Sequence, residues 1–331
     1  MASAAVGFAQ VRIATPGTEL VLKAEKGSEL QIQYFGGRLS DADAMALEAA
    51  GVPNHNAYQP YGLWCASEAS LCVTHADGNL STVLKVEEIN TVEEPTAQVT
   101  RIKLKDTVYP FYVTVCYRAY QDVDMIETWT EIENLEKKPV KLTRFDSGYL
   151  PIRVGDVWMS HLHGTWAAEG RLVQEPLERG MKVIKNKDGT RNSHTDHAEI
   201  MFSLDGKPQE NAGRVIGAAL CYSGNYELRV DTRDTDYHQF YAGINPDNAT
   251  YTLAPKEVFK TPELALTYSD DGLSGASRNF HRWGRSYKLA HGDKPRKILL
   301  NSWEGVYFNI NEPGMDQMMA DIASMGGELF V

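Results

Sequence analysis

From Val11 to about Tyr268 the chain runs through short segments in which apolar and polar residues tend to alternate. Period-2 alternation marks a strand with one face in a core and one in water. Phe111–Tyr120 (FYVTVCYRAY), Met125–Glu133 (MIETWTEIE) and Val215–Cys221 (VIGAALC) are rich in the β-branched and aromatic residues that fit a pleated surface. Turn chemistry separates such segments: Asp77-Gly78, the polar stretch 134–139 ending in Pro139, Asp188-Gly189, Asp205-Gly206 and Asn245-Pro246. Many strands with almost no helix between them predict a large antiparallel β-sandwich, a supersandwich. The clearest helical exception is short, Asp41–Ala50 (DADAMALEAA), placed to cap a sheet edge.

Beyond Gly272 the period changes. Ser274 is read as the N-cap of a helix from Gly275 to about Leu289, with Phe280 and Trp283 on one face. The loop 290–295 follows, then a strand over Lys297–Trp303. A helix over Glu312–Met325 carries Met315, Met318, Met319 and Ile322 on one side, and Glu328–Val331 reads as a strand. That β–α–β order is the unit from which parallel sheets are wound. A closed (β/α)₈ barrel needs ~250 residues, and Lys297–Val331 supplies 35. The expected organisation is a β-sandwich over 1–272, a linker helix and loop over 273–296, and over 297–331 the start of a barrel that the chain does not complete.

The formal net charge of −11 speaks against a nucleic-acid partner, which calls for a basic face. No apolar run approaches the ~18 residues that span a bilayer, so no membrane partner is expected. Met1–Gln10 is small and apolar without Lys or Arg, unlike an intact secretory signal. The compartment stays open between cytoplasmic and periplasmic or secreted. The four cysteines, Cys65, Cys72, Cys116 and Cys221, form no CxxC, and buried thiols are the expected state, with a Cys65–Cys72 pair as the alternative.

Several motifs, in order along the chain, resemble glycoside hydrolase family 36. Tyr58, Pro60, Tyr61 and Gly62 are similar to a Tyr-Pro-x-Tyr-Gly loop of that family. Gly164-Thr165-Trp166-Ala167 through Arg171, Gly180 and Ser193-His194 resembles a Gly-Arg-Trp-Ala-Arg-Glu to Ser-Ser-His segment. Leu220–Asn225, Gly243–Pro246, Thr261–Glu263 and Tyr268–Ser274 also match. Asn301-Ser302-Trp303-Glu304 with Tyr307-Phe308-Asn309, a helix and Glu328-Leu329-Phe330-Val331 resembles the first barrel unit. One departure stands out: where the family carries an Asp-x-Arg pair after the Tyr-Gly, this chain has Trp64-Cys65-Ala66-Ser67.

The resemblance implies a retaining exo-α-galactosidase acting on oligosaccharides such as melibiose or raffinose, without metal or cofactor. Such enzymes use two carboxylates about 5–5.5 Å apart. The resemblance places both on later barrel strands, so no catalytic residue is expected in this chain, and by itself it is expected to be inactive. The adjacent pairs Asp270-Asp271 and Glu93-Glu94 are poor substitutes, because neighbours on a strand point to opposite faces. Trp303 is the leading substrate contact. It falls at the C-terminal end of the first predicted barrel strand, where barrel enzymes place their sites, and an indole suits the C–H face of a pyranose. On position alone a core or rim tryptophan is an equal reading; the resemblance favours sugar. Glu304 is expected to pair locally.

Tyr61 and Trp64 are candidate substrate contacts in a Gly- and Pro-bearing loop, with loop anchoring as the competing reading. The resemblance places that loop near the sugar or at a contact between subunits, so a homo-oligomer is expected of the full-length protein. His161-x-His163, His194 and His197 invite a metal reading, which the resemblance opposes. Gly326-Gly327 precedes a strand and so fails the nucleotide fingerprint, and no Gly-x-Ser-x-Gly elbow occurs. Two alternatives remain: an α-N-acetylgalactosaminidase of the same family, or a non-catalytic carbohydrate-binding or oligomerisation module.

Overall fold

The computed structural model describes residues 10–50, 55–62, 68–191, 194–247 and 249–331. It divides into two compact units, one ending at Trp283 and one covering Gly284–Val331.

The first unit is almost entirely antiparallel β. Strands β1 (Gln10–Ala14), β2 (Thr18–Lys23) and β3 (Gln31–Gly37), then β4 (His55–Asn56), form a four-stranded sheet. Helix α1 (Asp41–Ala49) intervenes and starts at an N-cap, Ser40, whose hydroxyl accepts the Asp43 amide at 3.2 Å. Gln10 Nε2 donates to the carbonyl of Ala44 and Arg12 pairs with Asp41, so α1 covers the β1 edge, as its sequence suggested. Next come β5 (Leu71–Thr74) and a meander of β6 (Leu84–Glu93), β7 (Ala97–Asp106), β8 (Phe111–Tyr120) and β9 (Ile126–Asn134). The long β10 (Val140–Ile152) is followed by β11 (Trp158–His163), β12 (Arg171–Pro176), β13 (Gly180–Lys185), β14 (Asp196–Ser203) and β15 (Val215–Leu220). The unit's strands end with β16 (Tyr226–Asp234), β17 (Tyr237–Ile244), β18 (Tyr251–Leu253), β19 (Val258–Lys260) and β20 (Leu264–Ser269).

A ten-stranded sheet runs β12-β11-β14-β15-β20-β9-β8-β7-β6, with β19 beside β9. A six-stranded sheet runs β13-β16-β17-β10-β18, with β5 beside β10. Their facing sides bury two large apolar clusters. β8 shows why the pattern folds this way: Phe111, Val113, Val115, Tyr117 and Ala119 point into one core. Its other face adds Cys116 to Val99 and Trp129. Each fully buried large apolar side chain contributes about 1.5–3 kcal/mol. The long edge strand β6 carries Glu87, Glu88 and Glu93 and a bulge between Val86 and Glu88, features that disfavour edge-to-edge pairing.

Helix α2 (Gly272–Trp283) packs on β15 and β20, inside the first unit. The helix begins two residues before the predicted Ser274 cap. Its first amides are met instead by backbone carbonyls: Gly272 donates to Gly213, Leu273 to Gln209 and Ser274 to Glu210. The Ser274 hydroxyl bonds the Glu210 carboxylate instead of an amide of its own helix. On the buried face Asn279 Nδ2 donates to Thr267 Oγ1 at 2.9 Å, and Trp283 Nε1 to Glu127 Oε1 at 3.1 Å.

The second unit opens with a π-helical turn, Gly284–Lys288, so the predicted helix reaches almost to Leu289 but in two geometries. Then follow β21 (Leu299–Leu300), α3 (Trp303–Val306), α4 (Glu312–Ser324) and β22 (Leu329–Phe330). β21 and β22 pair in parallel, so the terminal stretch is a β–α–β unit and not an added pair of sandwich strands. The predicted strand over Lys297–Trp303 is only two residues long, because Ser302 onward turns into α3. No closed barrel forms among the described residues.

Within the six-stranded sheet β10 and β17 pair antiparallel and come unusually close at one position. A Cβ at Gly243 would lie 2.7 Å from the Asp146 Cα, so only glycine permits this approach of backbone to backbone. Gly243→Ala is expected to cost about 1–3 kcal/mol, read as a lower urea midpoint; an unchanged midpoint would show that the two strands can separate freely.

Candidate functional site

Two groups of residues hold the predicted contacts, one in each unit. In the second unit Trp303 is separated from β21 by two residues, at the end where the parallel strands finish. Asn301 Oδ1 accepts the Trp303 amide at 2.9 Å, and the Ser302 amide donates to the Val331 carbonyl at 2.8 Å, tying the turn to the end of β22. Trp303 is 43% exposed. It meets Tyr307 edge-on at 5.4 Å and 79°, and Phe308 at 4.9 Å and 89°. Tyr307 adopts φ +48°, unusual for an aromatic residue, and ends α3. The sequence supplied Tyr307 and Phe308 as motif residues without a role. The structure makes them the walls that hold the indole on edge, with Phe308 itself 88% exposed. Glu304 does pair locally, with the Tyr307 hydroxyl at 3.5 Å.

Tyr61 belongs to the first unit, a residue 54% exposed with its backbone fixed. Its amide donates to the Leu71 carbonyl at 2.8 Å, and its carbonyl accepts the Thr82 amide at 3.0 Å. Gly62 follows with φ +120°, where a Cβ would come within 2.6 Å of the Ser81 backbone. Trp64 lies outside the described residues, as does Cys65; Cys72 and Cys116 are free thiols.

Behind Tyr61 a buried relay was not foreseen. Thr82 Oγ1 lies 3.0 Å from His75 Nε2, and His75 Nδ1 lies 2.7 Å from Glu136 Oε1. Those separations match a nucleophile–base–acid triad, but Thr82 is 1% exposed, so no substrate reaches its hydroxyl. His75 also stacks on Tyr109 at 3.8 Å. The relay is a brace: it satisfies four buried polar groups and fixes the residue that holds Tyr61. No local pattern reveals it, because Glu136 is 61 positions from His75.

The other candidates separate. Glu93 bonds Gln98 and Gln121, whereas Glu94 pairs with Arg118. Asp271 pairs with Arg278. Each histidine of the possible metal set faces its own carboxylate: His161 with Glu175, His163 with Asp196, His194 with Glu169 and His197 with Glu199. Among the described residues no group of three or more His, Cys, Asp or Glu is placed to hold a metal ion. No helix among them is long and apolar enough to cross a membrane.

The family description "Glycosyl hydrolase family 36 N-terminal domain" matches residues 28–254, and "Melibiase" matches 258–331. The chain is 32% identical over 241 residues to alpha-galactosidase AgaA of Geobacillus stearothermophilus, covering 72% of this chain and 33% of AgaA. It is 31% identical over 243 residues to alpha-galactosidase Mel36A of Lactobacillus acidophilus, covering 73% and 33%. The chain thus spans about a third of the length of these curated relatives. Among solved structures, AgaA in complex with stachyose superposes with TM-score 0.89 at 25% identity, over 97% of this chain and 49% of that one. AgaB of the same organism gives 0.86 at 27%, over 98% and 50%.

One titration in this region has a defined sign. His55 Nδ1 lies 2.9 Å from the Tyr237 hydroxyl, which itself donates to Gln239 Oε1. His55 Nδ1–H therefore donates to the Tyr237 oxygen, and Nε2 keeps its lone pair for the Arg153 N–H at 3.4 Å. Burial first, and the Arg153 charge second, push His55 down to about 4. The neutral ring stabilises the fold fully above the unfolded value of 6.5, and this contribution is lost as pH falls toward about 4. The urea midpoint should fall over that window, and fall less steeply in His55→Gln; identical slopes would refute a neutral His55.

Proposed function

The chain belongs to glycosyl hydrolase family 36, and we propose that it forms the N-terminal part of a retaining exo-α-galactosidase that removes terminal α-linked galactose from oligosaccharides. One observation carries this reading: the fold agrees with a solved α-galactosidase over nearly the full length of the chain, from the sandwich through the first parallel strand pair. The AgaA structures hold stachyose and raffinose, and galactosides of that kind are the substrates proposed for this protein.

In this reading the sandwich frames the mouth of the barrel, excludes water from it and contributes to contacts between copies of the protein. Trp303 supplies an apolar face for the sugar's C–H surface and an indole N–H for a hydroxyl. Its position after β21 is the end of a parallel strand pair at which barrel enzymes bind substrate. Tyr61 and Trp64 contribute further contacts from their loop. The reacting pair of carboxylates, one nucleophile and one acid/base, comes from elsewhere in the barrel. Neither adjacent acidic pair here serves, since Glu93, Glu94 and Asp271 each have their own partners.

The purified 331-residue chain is accordingly expected to release no nitrophenol from 4-nitrophenyl α-galactoside, and steady turnover would contradict the assignment. In an enzyme that carries this chain ahead of a complete barrel, Trp303→Ala should lower kcat/KM for raffinose about tenfold, or about 1.4 kcal/mol. Unchanged kinetics would remove Trp303 from the sugar site.

A further inference from the structure

We infer that Arg229, on β16, is a positioning residue for the loop that carries Tyr61, setting the limb 68–71 against the limb 59–62. The inference rests on the galactosidase reading only for what the loop touches; the geometry stands by itself.

The guanidinium is 2% exposed and makes a two-pronged contact with Asp146, Nη2 to Oδ2 at 2.7 Å and Nη1 to Oδ1 at 3.1 Å. Nη2 also donates to the Ala69 carbonyl at 2.9 Å. The Asp146 amide in turn donates to the Ser70 carbonyl at 2.8 Å. Both members of the ion pair therefore grip consecutive carbonyls of one limb. The limb is passed on to its partner by backbone bonds: Ser70 N–H to Gln59 O at 2.8 Å, and Tyr61 N–H to Leu71 O at 2.8 Å. From Arg229 to Tyr61 the connection is unbroken, made of hydrogen bonds joined by one or two residues of backbone.

Only arginine fits this task. Its rigid fork meets both carboxylate oxygens and still presents an N–H to the carbonyl, whereas lysine is a single charged point on a flexible stem. The Tyr241 ring, 4.4 Å from the guanidinium carbon, fixes the plane of the fork. Charge is balanced locally, because Glu227 also takes Arg229 Nη1 at 3.3 Å and is shared with Arg144. A buried ion pair adds little net stability compared with apolar residues of the same volume, so its particular effect here is on geometry.

The test replaces both partners, Arg229→Met with Asp146→Leu, so that no lone charge is buried. Amide hydrogen exchange on the 331-residue chain is read at Tyr61, Ser70 and Leu71, with Ile102 and Val115 in the sheet as internal reference. The expected result is exchange at least about tenfold faster at the loop amides, with the reference amides unchanged. Unchanged loop protection, or equal loss at loop and reference amides, would overturn the positioning role. A second arm measures raffinose hydrolysis by the same variant in an enzyme with a complete barrel. A raised KM at constant kcat supports the role in substrate binding, whereas loosened loop amides with KM unmoved would overturn the sugar-contact reading of the loop and leave Arg229's hold on it intact.

Discussion

Asp146 lies near the middle of β10, where the strand passes from one apolar core to the other, and its carboxylate is sealed from water. Val140, Leu142, Phe145 and Tyr149 of this strand belong to the first core, and Leu150 and Ile152 to the second. A strand buried on both faces normally reads as a continuous apolar run. β10 instead carries Arg144, Asp146 and Ser147, and an unpaired charge there would cost several kcal/mol. Arg229 offsets that cost, beside the register shift between Asp146 and Gly148. Since β5, β17 and β18 all hydrogen-bond to β10, the six-stranded sheet and both cores depend on this neutralisation.

The same strand reaches the candidate site. β5 begins at Leu71, the residue that holds the Tyr61 amide, and it pairs with β10 next to Asp146. On the far side of Tyr61, Thr82 is kept in place by His75 and Glu136. An exposed ring is thus carried by a backbone that is fixed from two buried polar clusters. Loops that recognise ligands combine those properties, a variable exposed side chain on a rigid base.

Sequence pattern revealed the strands whose environment is one-sided. Phe111–Tyr120 alternates because one face meets a core and the other, through Cys116, only the small cluster of Val99 and Trp129, and its strand was read with its true bounds. β10 was not singled out, because Asp-Ser-Gly in its centre looks like a turn and the partners that bury it lie 83 positions away, at Arg229 and Glu227. The His75 relay was hidden for the same reason. The start of α2 was missed in a related way, although those of α1 and α4 fell where the pattern put them: Ser274 had the chemistry of a cap, but tertiary carbonyls from 209–213 reached the amides first. Local pattern reports local physics, and buried polar networks are assembled from distant segments. The family resemblance succeeded where pattern did not because it summed several weak motifs in a fixed order.

The second unit poses a physical problem for which the proposed reading offers an account. Parallel strands occur almost only where both faces of the sheet are covered, yet β21 and β22 are two residues each. Met315, Met318 and Ile322 of α4 are half-buried, and Met318 reaches toward Gly305 of α3. Ile298, Leu299, Phe308, Ile310, Met325 and Val331 remain exposed. An apolar surface so dense on 48 residues is not that of a stable independent domain, since small units bury too little of their chain. In the galactosidase reading proposed above it is the surface of one repeat in a barrel, whose strands gain neighbours on both edges and whose helices close the outside. On that reading the aromatic group at Trp303 is organised before the rest of its pocket, because its geometry comes from Asn301, Tyr307 and Phe308 within ten residues of chain.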